Sequence, residues 1–464
     1  MAENTIEGVS AGERGLAAAR GLLGFIRGCP SMFHTASAIR SRLDASGFTY
    51  LPEGSAWGMR PGEGFYTVRN NSSVIAWRAG EGAARGVRDG SAYHFQVAAA
   101  HGDSPAFKLK ASPELDGAQG SLRLDVEAYG GMIDYTWFDR PLSLAGRVLV
   151  RGEGDPRGRV ESRLVSLDRD VALIPSLAIH MDREVNKGFA PNRAIDLCPL
   201  ISAGDLSEGA VVAALAEELG VEPGRILAHD LFLVNRQAPC VWGLADEFIS
   251  SPRLDDLACA YTALEGFLAA GRPAGPTVAV YACFDNEEVG SLTKQGAAST
   301  FLRDTLVRIN AGLGGGYEGY RRALAGSFMV SCDNAHAVHP NRPEKADAVN
   351  RPLLNGGIVV KEAANQRYCT DAFSRAVFLS VCERAGAPVQ AFANRSDMAG
   401  GSTLGNLSNA QASMHGVDVG LPQLAMHSAY ETAGARDVGA AISALTAYCA
   451  ADIAIDGADA FELR

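Results

Sequence analysis

The stretch Thr277–Ser291, TVAVYACFDNEEVGS, runs an apolar segment straight into a knot of acid. The uncharged run TVAVYACF is followed at once by Asp285, Asn286, Glu287 and Glu288, and then by Val289-Gly290-Ser291. A continuous apolar run of this kind reads as a parallel strand buried on both faces. Crowded carboxylates repel one another, so their place at the end of a buried strand needs an explanation. Ser327–Asp333, SFMVSCD, repeats the pattern: an apolar run closes on Asp333, with His336 and His339 close behind.

Helix and strand patterns alternate around both runs. Upstream there are two helical patterns, the second of which, SMFHTASAIRSRLDASGF, starts at Ser31 after Pro30 and ends near Gly47. The strand-like pieces GFYTVRN, SSVIAWRAG and YHFQVAAAHGD follow. From Asp255, DDLACAYTALEGFLAAG places Leu257, Tyr261, Leu264 and Leu268 on one helical stripe, with Gly271 after it. Between Asp103 and Asp246 the texture differs. SLRLDVEAYG alternates, with Leu122, Leu124, Val126 and Ala128 facing one way and Arg123, Asp125 and Glu127 the other, as in a half-buried antiparallel strand. SLAGRVLVRGEG and RLVSLDRDVALIPSLAIH read as further short strands, DLSEGAVVAALAEELG as a helix and HDLFLVNRQ as a strand. The expected fold class is therefore α/β. Residues 1–103 and 246–464 form one domain, and residues 104–245 form a β-rich insertion, within a chain of 464 residues that is too long for one simple core.

Composition narrows the partners. A net charge of -11 with no dense Lys/Arg patch argues against nucleic acid, although one buried cation could still hold a small acidic substrate. Nine cysteines, an odd number with no Cys-x-x-Cys pair, read as buried thiols in a reducing compartment. MAENTIEGVSAGERG lacks a basic-then-apolar leader, and no apolar run is long enough to span a membrane. A cytoplasmic location is the expectation.

In a doubly wound sheet ligands bind beyond the carboxyl ends of the strands. Here those ends deliver His101-Gly102-Asp103, Asp285 to Glu288, and Asp333, while SPRLDD delivers Asp255 and Asp256, and LPQLAMHS delivers His427. Carboxylates brought together need a cation or must protonate. Histidine with Asp and Glu is a ligand set for Zn²⁺, with Mn²⁺ or Co²⁺ as substitutes. The donors exceed what one open zinc needs and suit two ions roughly 3.5–4 Å apart. Adjacent residues of an extended chain point in different directions, so Glu288 can reach a metal while Glu287 serves as a base. Each feature alone has a plainer reading. A Glu-Glu pair commonly opens a solvated helix, and Asp255-Asp256 would cap one. His34, His94, His229 and His415 are taken as structural and the cysteines as core. It is the shared position after strands that favours a site.

The blocks AAHGDSPAFKLK, YGGMIDYTWFDRPLSLAGRV, SPRLDD, FDNEEVGSLTKQGA, SCDNAHAVHPN, NQRYCTDA, GGSTLG and GLPQLAMHS, in this order from about residue 30 onward, give the chain a close resemblance to the aspartyl aminopeptidases. These are dinuclear zinc exopeptidases of the cytosol and vacuole. The resemblance implies a zinc-peptidase-like α/β catalytic domain, its mostly parallel sheet covered by helices on both faces, interrupted by a β-rich oligomerisation domain. It implies that His101, Asp255 and Asp333 hold one zinc and that Asp255, Glu288 and His427 hold the other, with Asp255 bridging. Glu287 would be the general base, Asp103 would orient His101, and His336 would shape the pocket. It further implies removal of N-terminal Asp or Glu from peptides and assembly as tetrahedral dodecamers, with His180 of IPSLAIH reaching a neighbouring subunit's site and Lys361 pairing with the substrate's side-chain carboxylate.

Two residues depart from the family pattern. Asp256 stands where many relatives have Asn, and Lys294 lies unexpectedly in LTKQGA. The short N-terminus disfavours the vacuolar, cargo-like members. Two alternatives stay open: a dizinc aminopeptidase, carboxypeptidase or deacylase of other specificity, and a non-catalytic oligomeric shell or cargo protein. Against the second, Glu287 and all the proposed ligands are present.

Overall fold

The acid-ended run Thr277–Phe284 is a strand buried along its whole length, near the centre of a nine-stranded sheet. The structure is a computed structural model that describes residues 11–464 apart from 61, 90–92, 153 and 155–157. Part of MAENTIEGVSAGERG and of the turn in SLAGRVLVRGEG thus lies outside the described residues. Strands Thr277–Phe284, His94–His101, Phe328–Cys332 and His415–Gly420 lie side by side in parallel at the middle of the sheet. Gly64–Arg69 and Ser73–Ala79 add on antiparallel at one side, and Ile358–Glu362 at the other.

Both faces of the sheet are covered, as a run without alternation requires. Val278, Val280, Ala282 and Phe284 join one core with Phe301 and Leu306 of helix Phe301–Gly312. Ala279, Tyr281 and Cys283 join the other core, with helices Leu254–Ala270 and Asp437–Ala450. Full burial of side chains such as Val280, Tyr281 and Phe284 stabilises the strand by roughly 1.5–3 kcal/mol each, which lets the chain tolerate the acids that follow. Helix Leu254–Ala270 is buried around most of its circumference, so the expected single stripe understates it: sheet, helix Ala11–Arg27 and helix Asp437–Ala450 all press on it.

A second sheet, antiparallel and six-stranded, is built from strands lying between Ala106 and Asn235. Leu124 and Val126 point into its own core as expected, with Ala128 packed against it, and Leu122 is buried as well. The alternation ends at Tyr129, which is buried on the opposite face because Met32 and Phe33 of helix Met32–Ala45 cover it there. RLVSLDRDVALIPSLAIH forms a strand only over its first residues, in Val160–Ser166. Beyond it only isolated bridges at Ala172 and Leu173 pair, and Leu177, Ile179 and Met181 are exposed. A five-stranded sheet joins Cys240–Trp242 and Phe248–Ser251 to Glu431–Gly434, Pro422–Leu424 and Ala335–His336. All nine cysteines are free thiols; most are buried, but Cys240 is exposed, its sulfur 3.4 Å from the Tyr430 hydroxyl. Among the described residues no helix is long and apolar enough to cross a membrane.

Candidate metal centre

Parallel strands end on one edge of a sheet, and here that edge gathers the acids and imidazoles. His101 is the last residue of its strand. Asp103, two residues on, is buried and binds three ways. Its carboxylate accepts the Glu287 N–H at 3.2 Å, the Glu288 N–H at 3.1 Å and the Tyr129 hydroxyl at 2.8 Å. It thereby fastens the turn after strand Thr277–Phe284 to the end of strand His94–His101. Asn286, in left-handed conformation at φ 64°, tightens the same turn: its amide donates to the Tyr129 hydroxyl, and its carbonyl accepts from Thr293 and Gln295 of the LTKQGA block. Lys294 itself is exposed. Gly130, at φ 87°, lies under Glu288: a side-chain carbon there would come within 3.1 Å of Glu288 Cβ.

Both histidines are set in one tautomer by their hydrogen bonds. His101 Nδ1 lies 3.1 Å from the Asp103 carbonyl and 3.3 Å from its carboxylate, so Nδ1 carries the proton and Nε2 faces Asp255 and Asp256 at 3.8 and 3.9 Å. His427 Nδ1 donates to the Gly131 carbonyl at 2.9 Å, leaving Nε2 toward Asp255 at 3.4 Å and Glu288 at 3.5 Å. A neutral imidazole held this way offers Nε2 as a metal ligand. Glu431, which sequence reasoning missed, positions two of these residues: its carboxylate accepts the Asp255 N–H at 2.9 Å and the His427 N–H at 2.6 Å. Asp255 and Asp256 are buried in non-helical backbone at the start of their helix, so they do not act as a solvated cap.

Ligand atoms of His101, Asp255, Asp256 and Asp333 lie within 4.8 Å of one another, as do those of Asp255, Glu288 and His427, and those of His101, Glu287 and Glu288. Asp255 belongs to two of these groups. Asp255 Oδ1, Asp256 Oδ1 and Glu288 Oε1 are sealed from solvent with no hydrogen-bond partner among the described residues. Buried carboxylate oxygens without partners are costly unless a cation meets them, so the donor set fits metal. The electrostatics agree. Burial raises Asp256 and Glu288 well above the usual carboxylate range. Burial raises Asp333 too, partly opposed by Lys361. Burial, opposed by His101 and reinforced by Asp333, Asp103 and Asp255, raises Glu287 to about 7. His427 goes up to about 10, because Asp255 and Glu288 outweigh its burial.

These shifts give a pH-dependent expectation for the chelated protein. An acid whose folded pKa lies above its unfolded value contributes full stability below the unfolded value and loses it as pH rises through the folded one. For Glu287 that window runs from an ordinary 4.5 to about 7. Chelation should therefore lower Tm little near about pH 5 and progressively more toward about pH 8, with added zinc restoring it. A chelation effect independent of pH over this range, measured by differential scanning fluorimetry, would show that the acids are not what the cation relieves.

The cluster opens into a cavity of about 210 Å³ that His336, Lys361, Tyr368 and residues 401–403 also line. Lys361 is 2% exposed. Its Nζ donates to the Asp333 carbonyl at 2.7 Å and the Asn334 carbonyl at 3.3 Å, and lies 3.7 Å from the Asp333 carboxylate. His336 stands at the cavity wall with its ring edge-on to Phe392. His180 is not brought in: it sits on the exposed segment near Met181.

Residues 25–449 match the family described as aminopeptidase I zinc metalloprotease, M18. A probable M18 family aminopeptidase 2 of Clostridium novyi is 43% identical over 419 residues, covering 90% of this chain and 94% of that protein. The cryo-EM structure of an Ape4 and Nbr1 complex contains a chain 34% identical with a TM-score of 0.88, covering 94% of this chain and 85% of that one. The mApe1 dodecamer of S. cerevisiae gives 26% identity and a TM-score of 0.80, covering 93% and 96%.

Proposed function

Because the chain belongs to the M18 family of zinc aminopeptidases, we propose that it removes N-terminal Asp or Glu from peptides at a two-zinc site with Glu287 as general base. The observation that carries this reading is a cavity in which unpartnered carboxylate oxygens stand beside a buried lysine. His101, Asp333 and Asp255 would hold one ion, and Asp255, Glu288 and His427 the other. When bound, zinc supplies Lewis acidity that brings the deprotonation of water toward neutral pH and polarises a peptide carbonyl.

The chain's own residues do the rest. Glu287 takes the proton of the attacking water and returns it to the leaving amine. Asp103 fixes the turn that carries both residues, since its carboxylate accepts the backbone N–H groups of Glu287 and Glu288. The Lys361 ammonium, held by the Asp333 and Asn334 carbonyls, attracts the carboxylate of the first residue, whereas a neutral side chain would lie against the buried charge without pairing with it. The chain is proposed to assemble as a dodecamer, the state of the mApe1 structure, with the 104–245 insertion, His180 and its exposed apolar neighbours at the contacts between subunits.

Hydrolysis of Asp, Glu, Leu and Lys chromogenic amides tests this, before and after chelation and zinc addback, on protein sized by light scattering. Cleavage of Asp and Glu alone, restored by zinc, is the expected result. Cleavage of Leu or Lys would discard the acidic pocket and keep the metal chemistry. No activity with any metal would favour a shell protein, and a fully active monomer would remove the role of His180 in trans.

A further inference from the structure

A second cavity, of about 250 Å³, shares no lining residue with the acidic one. It lies where the end of helix Ala11–Arg27 meets strands Leu142–Arg151, Val160–Ser166 and Ile226–Asn235 and the Pro252-Arg253 turn. Its charge is opposite to that of the metal site: Arg27, Arg236 and Arg253 face a single acid, Asp168. Arg236 is already matched, 2.9 Å from Asp168 and 2.7 Å from Asp170. Arg27 and Arg253 have no carboxylate at ion-pair distance among the described residues.

Arg253 is the unusual member. Its Nε is sealed from solvent with no partner. The one hydrogen bond its guanidinium makes among the described residues is long, 3.4 Å from Nη2 to the Ile26 carbonyl. A guanidinium carries five N–H donors, and leaving it buried and unmet is among the costlier arrangements a fold can hold. The residue as a whole is half-buried and lines the cavity. The hydroxyl of Ser166, on the cavity wall, makes no other hydrogen bond among the described residues.

We propose that this cavity binds a small oxyanion, the phosphate or carboxylate group of a small molecule, between Arg253 and Arg27, with Ser166 donating to it. A planar guanidinium matches two oxygens of such a group at once. The space far exceeds the roughly 30 Å³ share of a single water, so a polyatomic anion fits better than a halide. The contacts of Arg236 with Asp168 and Asp170 leave Arg27 and Arg253 to meet the anion.

The test is hydrogen–deuterium exchange of the zinc-loaded protein with inorganic phosphate or succinate, at fixed ionic strength with chloride as reference. Slowed exchange is expected in peptides spanning Arg27, Ser166 and Arg253, and it should saturate. Protection by phosphate alone assigns a phosphoryl ligand, by succinate alone a carboxylate, and by both a general oxyanion site. R253M should abolish it. S166E should do so as well, by placing a carboxylate in the cavity without touching the Arg253 turn, and it carries the test if R253M does not fold. Equal protection by chloride, protection surviving both variants, protection confined to peptides of the metal cluster, or none at all would overturn the proposal.

Discussion

Glu287→Gln should lower kcat by about 10²–10⁴-fold while leaving KM and zinc content close to those of the parent enzyme. The substitution keeps the shape of the side chain and the backbone contact, in which the Glu287 N–H donates to Asp103 at 3.2 Å. It removes only the ability to hold a proton. The neighbours of Glu287 make that ability matter, since burial and the charges of Asp333, Asp103 and Asp255 raise its carboxyl to about 7 against the pull of His101. Zinc content, measured by mass spectrometry, separates two roles that the geometry leaves close together. Ligand atoms of Glu287, Glu288 and His101 all lie within 4.8 Å, so Glu287 could in principle hold metal as well. If zinc leaves together with activity, Glu287 is a ligand and the base lies elsewhere. Near-normal kcat with full zinc would end the assignment outright. Glu287→Asp, with the carboxylate drawn back by one methylene, should fall between the two.

Much of this site could be read in the sequence because parallel strands force their carboxyl ends onto one edge. TVAVYACF, YHFQVAAAH and SFMVSC are each recognisable alone as buried strands, and the residues just beyond them, Glu287 and Glu288, His101 and Asp333, are then neighbours in space. What escaped the sequence are the residues that act from other elements. Glu431 looks like an ordinary surface acid in HSAYE, yet its carboxylate holds the N–H groups of both Asp255 and His427. The Tyr129 hydroxyl comes from the second sheet and the Gly131 carbonyl from the loop just after strand Leu122–Tyr129, and no local pattern marks them as partners of Asp103 and His427. Periodicity also overreached. Leu177, Ile179 and Met181 alternate as strand residues do, but no neighbouring strand offers them hydrogen bonds, and they remain exposed. Alternation reports a face, and a face becomes a strand only where a partner exists.

Lys361→Gln should reduce the preference for Asp over Leu amides, taken as the ratio of kcat/KM values, by about 10²–10⁴-fold. In the parent enzyme an acidic side chain pairs with the ammonium, whereas a neutral one would crowd the buried charge without offsetting it. Glutamine removes that discrimination from both directions, with Asp losing its partner and Leu its penalty. Absolute rates are a poor guide here because Lys361 also does structural work. Its Nζ binds the carbonyls of Asp333 and Asn334 at 2.7 and 3.3 Å, and it faces the Asp333 carboxylate at 3.7 Å. Disturbing a proposed ligand would slow every substrate alike and leave the ratio untouched. Glutamine retains an N–H donor that could keep one of the carbonyl contacts, so it is a better probe than alanine. A variant that is slower on all amides with an unchanged Asp to Leu ratio would confine Lys361 to holding Asp333 in place. The acidic preference would then have to come from another cation, and His180, proposed to reach the site from a neighbouring subunit, would be the next residue to change.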